Sequence, residues 1–254
     1  DIVYGNALWF DETGETALYS CHDAEELWYR MAVPHPAVFV RKAAYLEHGL
    51  FDTRYAIAAD YDLMLRMYSE NVRFVHLDEV LAYFRKGGLS FQRQEECIEE
   101  AREISLRYIR RCGEQDKWMP KIQELYTKRK FEQLSESGEG MLVLGMERLL
   151  CEKGGNLAIF GIGEWGERCF RILRESGINV DFFVDNNPSR WGEKHNGILI
   201  NPPDKLPDYQ GNVLIATFQY ENEIKRQLEG MGKGISFFSL LDWAKEVVDG
   251  LQGV

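Results

Sequence analysis

The stretch Leu157-Ala158-Ile159-Phe160-Gly161-Ile162-Gly163-Glu164-Trp165-Gly166 limits the possible folds of this chain more than any other. Four apolar residues bounded by glycine read as a buried strand, residues 167–175 or so read as a helix, and Gly177 ends it. Residues 180–184 are a second apolar run, with Asp185 at its end roughly two dozen residues beyond the first glycine. Strand, glycine loop, helix and strand in that order make a crossover, which places the two strands side by side and parallel. Gly161, Gly163 and Gly166 permit a tight turn and close backbone approach, and the following helix N-terminus faces an anion such as a pyrophosphate. Asp185 stands where a carboxylate can bond a ribose hydroxyl. A nucleotide site and a retained fold with a vacant site both fit this pattern.

The rest of the C-terminal part continues the alternation. Strands are predicted over 213–216 and 235–238, with helices over 220–231 and 241–248. Together these give a small parallel sheet with helices on both faces. The glycine pattern in this context is the Rossmann fingerprint. The phrase Phe183-Val184-Asp185-Asn186-Asn187-Pro188 with Gly192, Gly197-Ile198 and Pro202-Pro203 resembles the small Rossmann-like domains attached to sugar-modifying enzymes, including sugar acyltransferases. The resemblance implies a nucleotide-sugar site or a structural module. An NAD-dependent oxidoreductase rests on the glycines alone, since no Tyr-x-x-x-Lys pair follows them.

Earlier in the chain, Asp60 and Asp62 precede Leu63, Met64, Met67 and Tyr68, which recur at helical spacing. Two aspartates at a helix start read first as caps for the free N–H groups and the positive end of the dipole. Ala58 and Ala59 beside Asp60 suggest a second role, a carboxylate facing a cavity and able to take a proton from a hydroxyl. Arg66 sits one turn from Asp62 and pairs with it or with the preceding loop. His35, between Pro34 and Pro36, either bonds a loop carbonyl or lines a binding cleft. Gly87 and Gly88 before Ser90 form a glycine turn capped by Ser90, or a loop whose N–H groups cradle phosphate.

These segments taken together resemble the acceptor-side half of family 2 glycosyltransferases of the GT-A fold. The matching runs are Pro34-His35-Pro36 through Lys42, Gly49-Leu50-Phe51-Asp52, Ala58-Ala59-Asp60-Tyr61-Asp62-Leu63 with Arg66, and Phe84-Arg85-Lys86-Gly87-Gly88-Leu89-Ser90. The resemblance implies that Asp60 is the general base of an inverting sugar transfer. It also implies that His35, Asp62, Gly87, Gly88 and Ser90 contact acceptor or donor. Many members carry Glu just before the base, where this chain has Ala59. The opening Asp1-Ile2-Val3-Tyr4-Gly5-Asn6 is similar to the strand after the family's metal-binding motif. The donor half is therefore expected to be missing and the chain to be a fragment, inactive alone. By the same resemblance, the intact enzyme takes a nucleotide-sugar donor, a glycan or lipid-linked acceptor and a divalent metal, Mn or Mg, held through that half. Cell-surface polysaccharide synthesis is the implied pathway.

The expected organisation is thus α/β: a partial GT-A half over 1–92, a helical connector over 93–154, and a Rossmann-like domain over 155–254. In the first part, strands are predicted over 2–10, 16–19, 37–40, 72–76 and 80–84, with turns at 11–15 and 77–79. Asp23 is expected to cap a short helix. The connector reads as three helices, the first with Glu95, Glu96, Glu99, Glu100 and Glu103 on a polar face.

A net charge of −11 argues against nucleic acid as partner. Five scattered cysteines without a C-x-x-C pair read as reduced cytosolic thiols, and the five histidines show no metal-site spacing. No apolar run approaches the length of a membrane span. The expected location is cytoplasmic, with any membrane contact peripheral to the inner face. Exposed strand edges in the first 90 residues offer a route to homo-oligomers.

Overall fold

The computed structural model describes residues 1–137, 139–153, 156–232 and 234–252. The chain is α/β and divides into two compact units, Asp1–Tyr126 and Thr127–Val254. The helical stretch predicted as a connector is shared between them. The break expected at residues 135–138 falls inside a helix as far as Ser137, and residue 138 lies outside the described residues.

In the first unit, β1 (Ile2–Phe10) is the axis of the sheet. One edge pairs antiparallel with β2 (Thr16–Tyr19) through residues 7–10 and with β3 (Val38–Val40) through residues 2–4. The other edge runs parallel to β4 (Phe74–Arg85). The β1–β2 turn is the predicted one: Asp11 accepts the backbone N–H groups of Thr13 and Glu15, and Gly14 takes φ +84°. Asp23 caps a 3-10 helix, Ala24–Trp28, by accepting the N–H of Glu25.

The predicted turn at Leu77-Asp78-Glu79 is not a turn. Residues 72–84 do not reverse, because both halves of β4 pair with the same neighbour. The register jumps from Gly5↔Leu77 to Asn6↔Val80, so Asp78 and Glu79 bulge out of one continuous strand. Gly5 makes room for the bulge, since a Cβ there would lie 2.8 Å from the Glu79 carbonyl oxygen.

Helices α1 (Lys42–His48), α2 (Ala59–Ser69), α3 (Leu89–Gln92) and α4 (Gln94–Cys112) follow in the same unit. The sequence reading did not include α1; Gly49, at φ +88°, ends it. Tyr61, Leu63, Met64, Leu65 and Met67 of α2 are all buried, as in a helix enclosed on several sides. Leu27, Ile104 and Tyr108 belong to the same core, so α4 is part of this unit.

Helix α5 (Gln115–Ser137) carries the chain into the second unit, where α6 (Glu139–Lys153) follows. Then come β5 (Leu157–Phe160), α7 (Glu164–Glu175), β6 (Phe182–Val184), β7 (Lys194–His195), β8 (Ile198–Asn201) and β9 (Asn212–Ile215). The chain closes with α8 (Glu221–Gly230), β10 (Ser236–Ser239) and α9 (Leu240–Gln252). The sheet order is β10-β9-β5-β6-β8-β7, parallel except for β7 against β8. Alternation along the strands buries both faces. Ile159 and Leu214 join Phe131, Phe183 and Trp243 in one core, while Phe160, Val213 and Ile215 join Ile224 and Leu228 in the other. From β5 the chain winds outward through β6 to β8, then returns to the opposite side of β5 with β9. The winding direction therefore reverses between β5 and β9.

Candidate functional site

In the first unit, Asp60 accepts a free first-turn N–H of α2, that of Tyr61, as the capping reading expected, whereas Asp62 is bonded to Arg107. The capping position is Ala58, and no side chain of its own segment bonds there. Instead the Glu100 carboxylate, reaching from α4, accepts the N–H groups of Ala56 at 2.9 Å, Ile57 at 2.9 Å and Ala58 at 2.8 Å. Burial pushes the Glu100 carboxyl up, but these donors and Arg93 outweigh it and hold it below the ordinary range.

The two aspartates diverge in use. Asp62 is fully buried and bonded to Arg107, with Tyr108 Oη at 3.3 Å and Arg66 at 3.9 Å. Arg66 also donates to the Leu50 carbonyl, so both partners expected for it are present. Asp62, expected at a ligand, thus sits in an internal ion pair. Asp60 is only partly buried, and its Oδ1 accepts the Tyr61 N–H at 2.7 Å. Burial pushes the Asp60 carboxyl above the usual carboxylate range, against the opposing charge of nearby His35. His35 thus lies close enough to Asp60 for its charge to act on the carboxyl. The His35 ring meets Phe51 edge-on at 5.9 Å, and among the described residues no hydrogen bond holds it.

Gly87, Gly88 and Ser90 belong to another part of this unit. Gly87 takes φ +100°, Gly88 rather than Ser90 caps the four-residue α3, and all three are exposed. They follow Lys86, whose N–H bonds the Phe10 carbonyl at the end of β1, whereas His35 lies just before Val38, which pairs with Tyr4. The Lys86 ammonium covers the Trp9 ring at 4.4 Å.

In the second unit a cleft of about 700 Å³ opens at the C-terminal ends of β5, β6 and β9, where the winding reverses. Open parallel sheets bind ligands at such points. The cleft is lined by the turn 161–163, Trp165, Asp185, Thr217, Phe218 and Tyr220. The three glycines of this turn differ in what holds them to glycine. Gly161 adopts φ +101°, Gly166 packs its backbone on the Gly161 carbonyl, and Gly163 leads into α7 with open space where a Cβ would stand. No side chain bonds the N-cap position of α7.

Asp185 is engaged by its own loop. Its Oδ1 accepts the Asn187 N–H at 2.8 Å, its Oδ2 faces Arg190 at 3.5 Å, and its carbonyl accepts the Trp191 indole N–H at 2.8 Å. The sequence reading missed the aromatic wall, in which Trp165 and Phe218 meet edge to face at 5.2 Å over Phe131. It also missed Glu132 from α5 at the rim, whose carboxyl is raised by desolvation against the pull of Arg129 and Arg168.

Among the described residues, no group of three or more His, Cys, Asp or Glu side chains is arranged to hold a metal ion. Among the same residues, no helix is long and apolar enough to cross a membrane. A family model described as C2185-like, N-terminal, matches residues 154–235, which span the glycine turn, Asp185 and β9. No curated protein matches the chain.

Proposed function

We propose that residues 1–92 are the acceptor-side half of a GT-A, family 2 glycosyltransferase, with Asp60 as general base. The observation that carries this reading is the division of labour between the two aspartates. Asp62 is fully buried and bonded to Arg107, and Glu100 holds the N–H groups of Ala56, Ile57 and the capping residue Ala58, while Asp60 stays partly exposed within the reach of the His35 charge. A carboxylate raised by burial is a stronger base than an exposed one, and proton removal from an attacking hydroxyl calls for that. In the proposed reaction Asp60 takes the acceptor proton as its oxygen attacks the anomeric carbon of a nucleotide-activated sugar. The nucleoside diphosphate leaves from the opposite face. His35 orients acceptor or donor beside the base.

The donor and its divalent metal belong, in this reading, to a nucleotide-binding half outside these residues. The test joins such a half to this chain and measures sugar transfer from UDP-sugars with manganese. Metal-dependent transfer abolished by Asp60→Ala supports the proposal; transfer unchanged by Asp60→Ala overturns it.

A second reading is favoured by the cleft in the other unit: residues 155–254 form a Rossmann-like nucleotide or nucleotide-sugar module. The close approach of Gly166 to Gly161 and the position of Asp185 at the end of β6 support it. Calorimetric titration of the chain with UDP, UDP-sugars and NAD tests it, with Asp185→Ala as control. Binding lost in the variant supports the reading, and no binding at millimolar ligand counts against it.

A further inference from the structure

The polar stripe of α4 does not face solvent alone. Glu100, Glu103 and Arg107, at spacings of three and four residues, lie on one face of the helix and reach the segment that leads into Asp60. Glu100 takes three consecutive backbone N–H groups, at residues 56, 57 and 58. Glu103 accepts the Tyr55 hydroxyl at 3.1 Å. Arg107 bonds Asp62, stands 3.8 Å from Asp52, and lies over the Tyr55 ring at 5.3 Å. Successive N–H groups pointing one way form a concavity that attracts an anion, and here the anion is built in.

We propose that Glu100 is a positioning residue for Asp60, its carboxylate clamping the 56–58 backbone so that α2 starts at one fixed place and Asp60 is held at the mouth of that helix. The proposal rests on the reading of Asp60 as the base. Among the described residues no other side chain accepts the N–H groups of 56–58: the capping residue is an alanine, and Ala56 and Ile57 have no side-chain oxygen to offer. Three hydrogen bonds to one ionised group are each stronger than neutral ones, and losing the acceptor leaves three donors to find water.

A role in stability alone and a role in positioning make different predictions. The test uses the 254-residue chain with ¹³C-labelled aspartate carboxyls and amide hydrogen exchange, comparing wild type, Glu100→Ala and Glu100→Gln. In Glu100→Ala, exchange at residues 56–58 is expected to rise at least tenfold while Leu65 in the middle of α2 keeps its protection, and the Asp60 carboxyl should titrate closer to the ordinary range. Glu100→Gln keeps one acceptor oxygen, so Ile57 and Ala58 should retain part of their protection and Ala56 should lose it. If residues 56–58 exchange as in wild type, or Asp60 titrates unchanged once they are exposed, the proposal fails. If Glu100→Ala unfolds the unit, the glutamine variant decides by the same two readings. None of these readings depends on sugar transfer. If the clamp is present and Asp60→Ala leaves transfer by the joined enzyme intact, the assignment of the base has failed and the clamp has not.

Discussion

The backbone of Gly166, in the first turn of α7, packs so closely on Gly161 that a Cβ at position 166 would lie 2.1 Å from the Gly161 carbonyl oxygen. A backbone atom cannot yield as a side-chain tip can. Gly166→Ala therefore forces α7 away from β5 and should destabilise the second unit by about 3 kcal/mol. Gly163→Ala meets nothing within 4 Å and has an ordinary φ, so its stability should stay within about 0.5 kcal/mol of wild type. Denaturant unfolding of both variants checks the contrast; equal losses would show that the contact does not set the glycine requirement.

Asp60 should lower stability at neutral pH. Its folded pKa lies above its unfolded value, so the folded state binds more protons in the window between the two, and stability falls as pH rises through that window. Asp60→Asn removes the charge and should raise the Tm of the first unit by about 2 to 4 °C at pH 7. The gain should vanish below the ordinary aspartate range, where both forms are neutral. Calorimetric scans across pH test this, and a gain that persists in acid would rule out the burial of Asp60 as its source.

The pair of Asp62 and Arg107 predicts the opposite sign. Asp62 is fully enclosed, whereas the Arg107 side chain is one-third exposed. Arg107→Ala leaves a buried carboxylate with only the Tyr108 hydroxyl at 3.3 Å and Arg66 at 3.9 Å, and should cost about 2 kcal/mol. Adding Asp62→Asn should recover part of that loss. A double-mutant cycle measures the coupling, and strictly additive losses would exclude it.

Much of this architecture is written locally, and the part that is not explains where sequence reading stops. Asp11 and Gly14 declare the first hairpin, Asp23 its short helix, and the glycines at 161, 163 and 166 the strand, turn and helix that follow. Leu77-Asp78-Glu79 has turn composition, but its outcome depends on which strand it pairs with and on Gly5, more than 70 residues earlier. Glu100 has the periodicity of a solvated helix face. That periodicity fixes which side of α4 is polar and says nothing of the 56–58 backbone waiting opposite. Asp60 was legible as a functional candidate; the separate fate of Asp62 was not, because Arg107 lies 45 residues away.

The cysteines give an independent check on packing. Cys169 is fully buried and desolvation drives its thiol far up, whereas Cys112 and Cys151 are exposed. Under native conditions Cys112 and Cys151 should react first with a disulfide reagent, and Cys169 only on unfolding. Early labelling of Cys169, read by peptide mass analysis, would contradict the packing of α7 on β5.

The cleft's charge constrains its ligand. Its charged lining residues, Glu132, Glu164, Asp185 and Glu223, are all acids. A phosphate held there meets backbone N–H groups and a helix dipole but no lysine or arginine among the lining residues. Affinity for a nucleoside diphosphate should therefore hold or rise with added salt, because screening weakens repulsion more than attraction. Glu164, at the first position of α7 with its side chain largely exposed, occupies the end of the dipole where a phosphate would sit. Glu164→Gln should tighten diphosphate binding about two- to fivefold, the range of a single charge near a helix end, and leave binding of the bare nucleoside unchanged. Titrations at two salt concentrations separate the alternatives. An affinity that drops steeply with salt would mean that cations outside this cleft hold the ligand.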